Sequence, residues 1–134
     1  MQQSQREAAL ALHAVLGGVA LPAALGANVG RDAGPARAFV QELAYGTLRH
    51  WGTLDALVRR LAAKPFADPV LACLVAVALY QLGQTRAPPF AVVDHAVNAA
   101  ASLTRPAARA LVNALLRRYL REREALDATV LADP

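Results

Sequence analysis

Thirteen arginines and one lysine make this chain basic, and six of the arginines lie between residues 105 and 124, where only two glutamates oppose them. That segment alone holds a net charge of +4, the excess of the whole 134-residue chain; everywhere else eight positive and eight negative residues cancel. Arginine suits a polyanion, because its planar fork grips phosphate oxygens in pairs and stacks on bases. A solvated helix face would show the same charge pattern, so two readings stand on charge alone. Catalytic groupings are sparse. Cys73 is the only thiol, and His13, His50 and His95 lie far apart, so no zinc spacing exists and no metal is expected. Asp94 and His95 adjoin in sequence, but successive helical residues do not face each other, which spoils them as an acid–base pair. No glycine-rich phosphate loop, paired carboxylates or nucleophile–base set occurs, so no catalytic residue is assigned.

The elements that must carry the arginines are helical. Alanine and leucine dominate, aromatic residues make up 5%, and β-branched runs are nearly absent, which is an all-α composition of one-domain length. The chain is organised around Pro69 to Gly83, where nothing polar except Cys73 lies between Val70 and Tyr80. Asp68 supplies an N-cap, Pro69 suits the first helical position and Gly83 a C-terminal stop. A helix apolar all round is buried on all sides, and this one is too short to cross a bilayer. It is therefore expected to be the central helix of a soluble bundle, with no membrane partner. One cysteine builds no internal disulfide, and the start of the chain lacks the pattern of a signal peptide, so a cytoplasmic location is expected.

Around that helix the remaining elements follow in order. Ser4-Gln5-Arg6-Glu7 is a capping-box pattern, which puts a helix start at Ser4, with Ala8, Leu12, Val15 and Leu16 as its stripe and Gly17-Gly18 as its end. A short second helix begins at Leu21-Pro22 with Leu25 inward, and Gly26 to Gly34 reads as a loop. The third helix runs from Pro35 to about Trp51, with Phe39, Val40, Leu43 and Thr47 on one side. Glu42 and Arg49 fall on the other side, with Tyr45 at their edge. Gly46 costs this helix about 1 kcal/mol against alanine, which suits close approach of a neighbour. Gly52 then breaks the chain, and Leu54, Leu57, Val58 and Leu61 mark a fourth helix ending before Lys64-Pro65. After the central helix, the two prolines of the 84–89 connector hold Arg86 on a stiff corner. Val92, Val93, Ala96, Val97 and Ala100 define the sixth helix. Pro106 starts the seventh, with Leu111, Val112, Leu115, Leu116 and Tyr119 buried. Arg117, Arg118 and Arg121 point away from that stripe, Asn113 stands one turn before Arg117, and Arg109 lies at the border. Beyond Arg121 the apolar period fades, so residues 1–124 read as the helical domain and 125–134 as the start of a linker.

The candidates for contact with RNA or another acidic partner are accordingly Arg109, Arg117, Arg118 and Arg121, followed by Arg6, Arg49 and Arg86. An ion pair with Glu42 or with a neighbouring helix is the alternative for Arg49, and capping of carbonyls after the central helix is the alternative for Arg86. Asn113 is assigned a helix–helix or capping hydrogen bond rather than a base contact. Tyr45, Trp51, Tyr80 and Tyr119 lack the clustering of a stacking platform and are assigned to the core, so recognition is expected through phosphate and shape.

Three stretches, Q-E-L-A-Y-G-T-L-R at 41–49, L-Y-Q-L-G-Q-T-R-A-P-P at 79–89 and L-V-N-A-L-L-R-R-Y at 111–119, resemble one family. It is the NusB-like N-terminal domain of bacterial 16S rRNA (cytosine-5) methyltransferases of the RsmB type, also called Sun or Fmu. The Leu54-Asp55 helix and A-K-P-F at 63–66 fit in the same order, and the resemblance covers about residues 5–124. It implies a NusB-like antiparallel bundle of about seven helices in two sub-bundles. It also implies that the native polypeptide continues past Pro134 into an S-adenosylmethionine-binding domain with a catalytic cysteine. Cys73 sits in no matching motif, so this chain is expected not to methylate by itself, and S-adenosylmethionine belongs to the longer protein. The partners implied are 16S rRNA and the catalytic domain of the same polypeptide, with no DNA. Stand-alone NusB antitermination factors share the fold but have an arginine-rich N-terminus, where this chain offers only Arg6. A docking module without RNA contact is the third reading.

Overall fold

A computed structural model describes residues 1–28 and 34–132. They form seven α-helices, with no strand among them: α1 (Gln2–Leu16), α2 (Leu21–Asn28), α3 (Pro35–Arg49), α4 (Trp51–Leu61), α5 (Pro69–Gln84), α6 (Pro89–Leu103) and α7 (Ala108–Ala132). The lack of any polar face on α5 dictates the arrangement. Every residue from Cys73 to Leu82 is buried, and α5 packs against α1, α3, α4, α6 and α7. Each large aliphatic side chain removed from water contributes about 1.5–3 kcal/mol, so α5 gathers the bundle round itself. On one side α1 packs with α2 and α3; on the other α7 packs with α4 and α6, and α6 also reaches α1. This is the two-part all-α bundle that the resemblance implies.

The stripes on α3, α4 and α6 are as expected, with Val40, Leu43 and Thr47, then Leu54, Leu57, Val58 and Leu61, then Val92, Val93, Ala96 and Ala100 all buried. Several boundaries differ, each for a local reason. Met1, not Ser4, is the N-cap of α1, so the capping box does not form. Ser4 and Gln5 are buried inside the helix because the Gln5 carboxamide is drawn into the core, where Nε2 donates to Gln81 Oε1 (2.8 Å) and the Val92 carbonyl (3.3 Å). Residues 26–28 are helical rather than loop, and residues 29–33 of that expected loop lie outside the described residues. The α3–α4 break falls at His50, with Gly52 inside the first turn of α4. Helix α5 runs through Gly83 to Gln84 and is closed by the Thr85 hydroxyl, which donates to the Gln81 carbonyl (2.6 Å). Asp68 occupies the N-cap position without a side-chain cap bond, and its carboxylate lies 3.6 Å from Arg105. Leu111 is 43% exposed and not part of the buried stripe. The linker expectation is likewise replaced over residues 125–132: α7 bends at Glu122 (φ −113°, ψ 19°) and continues to Ala132 with Leu126 and Val130 buried.

The close approach expected at Gly46 is present: a Cβ built there would fall on the Tyr80 ring. The glycine therefore admits a buried aromatic side chain of α5 against the backbone of α3. Gly46→Ala is expected to lower stability in urea unfolding by about 1–3 kcal/mol through overpacking. Gly52→Ala, whose Cβ meets nothing within 4 Å, is expected to raise it by about 0.4–1 kcal/mol. Burial pushes the Cys73 thiol from 9.0 up to about 12. The raised native value means that stability is intact below pH 9, where the unfolded thiol is still neutral, and falls as pH rises towards 12. Thermal unfolding across pH 8–11 is expected to show a steeper loss for the native sequence than for Cys73→Ala.

Candidate nucleic-acid interface

Three of the candidate arginines come from distant parts of the chain, on elements that come together at one end of the bundle. Gln5 in the first turns of α1 bonds Gln81 near the end of α5 and Val92 in the first turn of α6. Gly46 near the end of α3 meets the Tyr80 ring, and the His50 ring lies 6.0 Å from that of Tyr80. Arg6, Arg49 and Arg86 thus attach to the elements that surround the C-terminal end of α5. Arg49 and Arg86 are exposed, and neither makes a side-chain hydrogen bond or ion pair among the described residues. The alternatives weighed for them do not form: Glu42 does not pair with Arg49, and the end of α5 is served by Thr85 and by Arg123, whose guanidinium donates to the Gly83 carbonyl (3.4 Å). Arg6 is half-buried, with Nε buried and lacking a hydrogen-bond partner. An exposed arginine without an internal partner keeps its whole donor fork for an external anion.

Two aromatic rings at this end were not assigned to the surface by pattern. Tyr45, one turn before Arg49, is 43% exposed rather than core, and Phe90, in the first turn of α6, is 77% exposed. The signal for Phe90 was its position off the Val92, Val93 and Ala96 stripe. The other tyrosines follow expectation: Tyr80 and Tyr119 are buried, and Trp51 packs half-buried against the core.

On α7, Arg109, Arg117 and Arg121 are exposed as expected. Arg117 Nε donates to Asn113 Oδ1 (2.9 Å), a neutral partner that leaves its charge uncompensated; for Asn113 this is a bond within α7, not the helix–helix or capping bond expected. Arg109 and Arg121 have no side-chain partner among the described residues. Arg118 departs from expectation. It turns onto α4, with Nη1 3.4 and 3.3 Å from the carbonyls of Arg60 and Leu61, and its Nε lies 3.0 Å from Glu122. The carbonyls at the end of α4 draw it there, since a helix C-terminus favours a cation.

Arg123, which the sequence did not single out, sits beyond the bend. Its Nε lies 3.5 Å from Asp127, and its guanidinium stands 5.9 Å from the Tyr119 ring centre. The Tyr119 hydroxyl donates to Asp127 (3.1 Å), and its pKa is pushed up to about 12, first by burial and then by the Asp127 charge, with Arg123 opposing. Among the described residues no group of three or more His, Cys, Asp or Glu is placed to hold a metal, and no helix is long and apolar enough to cross a membrane. The division of labour on α7 is testable by denaturant unfolding. Arg118→Ala removes the contacts with the end of α4 and is expected to cost about 1 kcal/mol, whereas Arg121→Ala is expected to stay within about 0.5 kcal/mol of the native chain.

The geometry agrees with what this chain is similar to. The profile of the NusB family matches residues 3–121. The chain is 44% identical to ribosomal RNA small subunit methyltransferase B of Pseudomonas putida over 134 residues, which is 95% of this chain and 30% of that protein. Its likeness to the protein of the same name from Pseudomonas syringae pv. tomato is 41% over 134 residues, 95% of this chain and 29% of the relative. Against that of Vibrio vulnificus it is 42% over 92 residues, 67% of this chain and 22% of the relative. The chain thus spans less than a third of the curated relatives it matches. With its seven helices ordered round α5 and the profile running through nearly all of them, the chain belongs to the NusB family.

Proposed function

We propose that this chain is the RNA-holding domain of a 16S rRNA cytosine-5 methyltransferase, positioning rRNA for a catalytic domain in the same polypeptide. The observation that carries this reading is the convergence of Arg6, Arg49 and Arg86 at one end of the bundle, with Arg49 and Arg86 free of internal partners. Support comes from the name and extent of the relatives, which are rRNA methyltransferases more than three times as long as the matched region. Arg49 and Arg86 grip phosphates, and Pro88-Pro89 fixes the backbone just after Arg86, which lowers the ordering cost on binding. Arg117 and Arg121, one turn apart on α7, extend the cationic surface, with Arg109 further back along the same helix. Contacts of this kind fix register and orientation and leave the choice of target base to other groups.

Methyl transfer is not assigned to these residues. S-adenosylmethionine, which the methyltransferase reading brings with it, does not fit the described residues: a nucleoside cofactor of that class is held at the strand ends of a sheet, and these residues are all helix and connection. Cys73, with no exposed surface and a thiol pushed up to about 12, offers no accessible thiolate. The cofactor and the attacking cysteine belong to the remainder of the longer protein, and the cytoplasm is where both would meet rRNA.

Fluorescence anisotropy with a 16S rRNA hairpin and a scrambled RNA, each at two salt concentrations, tests the reading. Arg49→Glu/Arg86→Glu is expected to weaken binding at least about tenfold and to lower the salt dependence by roughly two phosphate contacts. Because neither side chain is paired internally, the unfolding midpoint should not move. Absence of binding at low salt would leave a docking module without RNA contact.

A further inference from the structure

We propose that Tyr119, Arg123 and Asp127 form a clasp that holds the last segment of α7 against the end of α5, so that its final turn is kept at the end of the bundle that carries Arg49 and Arg86. The inference rests on the reading of that end as the RNA-holding surface. The bend at Glu122 redirects α7, and Leu126 and Val130 then bury themselves against the bundle. A lone segment of this length is marginal as a helix in water and must be held by tertiary contacts. Leu126 and Val130 supply the apolar ones, and the clasp adds a polar one through Arg123. Asp127 accepts the Tyr119 hydroxyl and faces the Arg123 guanidinium, which in turn reaches the Gly83 carbonyl on α5.

The place where the segment arrives gives the clasp its consequence. A cavity of about 260 Å³ is lined jointly by His50, Leu79 and Gln84 of the body and by Arg123, Asp127 and Leu131 of the segment. His50 adjoins Arg49, and Gln84 precedes Arg86 by two residues. Leu131 therefore shares a cavity wall with the residue that follows Arg49 and with the residue two before Arg86. Had α7 continued straight, its ten residues after the bend would carry the chain roughly 15 Å further along the axis. Arg123 and Asp127 fall outside the residues 3–121 that the family profile matches. Tyr119 and Asp127 act here as positioning residues: they hold the final turn of α7 at the RNA, not the RNA itself.

The test uses the 134-residue chain with a benzophenone amino acid in place of Leu131, which is 80% exposed. With the 16S rRNA hairpin bound, illumination is expected to crosslink residue 131 to RNA. In Tyr119→Phe/Asp127→Asn the yield should fall at least about fivefold while RNA affinity stays within about twofold, and amide exchange over residues 124–132 should quicken about tenfold with α1–α6 unchanged. RNA that binds without crosslinking at 131, or crosslinking and exchange that ignore the double substitution, would overturn the proposal. Failure of the hairpin to bind at all overturns the RNA reading instead, and amide exchange then decides the clasp by itself.

Discussion

Between Cys73 and Leu82, α5 has no side that water can wet, and five other helices are required to cover it. That requirement places everything else. Covering a helix on all sides brings the ends of its neighbours together where it stops. At the C-terminal end of α5 the start of α1, the end of α3 and the start of α6 converge, and the charged residues that each element carries at its tip converge with them. Arg6, Arg49 and Arg86 thus come to one end of the bundle as a by-product of apolar burial. No attraction gathers three like charges; the packing of the elements that carry them brings them to that end.

The same end contains the most demanding polar contact of the core. Gln5 Nε2 commits both hydrogens, one to Gln81 Oε1 and one to the Val92 carbonyl, and both carboxamides are buried. This fixes their orientation, because turning Gln5 over would set its oxygen against the Val92 carbonyl. Gln5 Oε1 and Gln81 Nε2 are left without partners, which costs stability. Leucines in these places would pack α1 against α5 at several depths, whereas the shared bond fits a single register among α1, α5 and α6. The register matters because it sets how Arg6 and the Arg86 corner stand relative to each other.

The sequence disclosed periodic features well and convergent ones poorly. The stripes of α3, α4 and α6, the all-round burial of α5 and the crowding at Gly46 were legible, because a helix projects its buried face onto every third or fourth residue. The boundaries at Ser4, Gly52 and Gly83 were misplaced. Capping and stopping preferences are worth about 1 kcal/mol, and burial of Gln5 or continued packing of α5 outweighs them. The wheel showed that Arg118 leaves the buried stripe but not that the end of α4 lies beside it. Arg123 and Asp127 stand four apart in plain view, yet their role depends on the direction of the bend at Glu122, which no spacing encodes. The packing of the Arg49 end of α3 on the end of α5 that precedes Arg86 was invisible, since it exists only through the contacts of Tyr80 with Gly46 and His50.

Net charge by segment pointed to residues 105–124, and the contacts redistribute that weight. Arg105 faces Asp68, Arg118 serves the carbonyls of α4, and Arg123 is held by Asp127 and Gly83. What the segment leaves for a ligand is Arg109, Arg117 and Arg121, with Glu124 among them. The balanced remainder, meanwhile, yields Arg49 and Arg86 with no internal partner. At physiological salt, charges further apart than about 8 Å are largely screened, so a phosphate responds to the guanidinium next to it and hardly to a sum over twenty residues. The relevant quantity is the set of arginines whose donors are still free, and by that measure the end of α5 weighs as much as the ridge of α7.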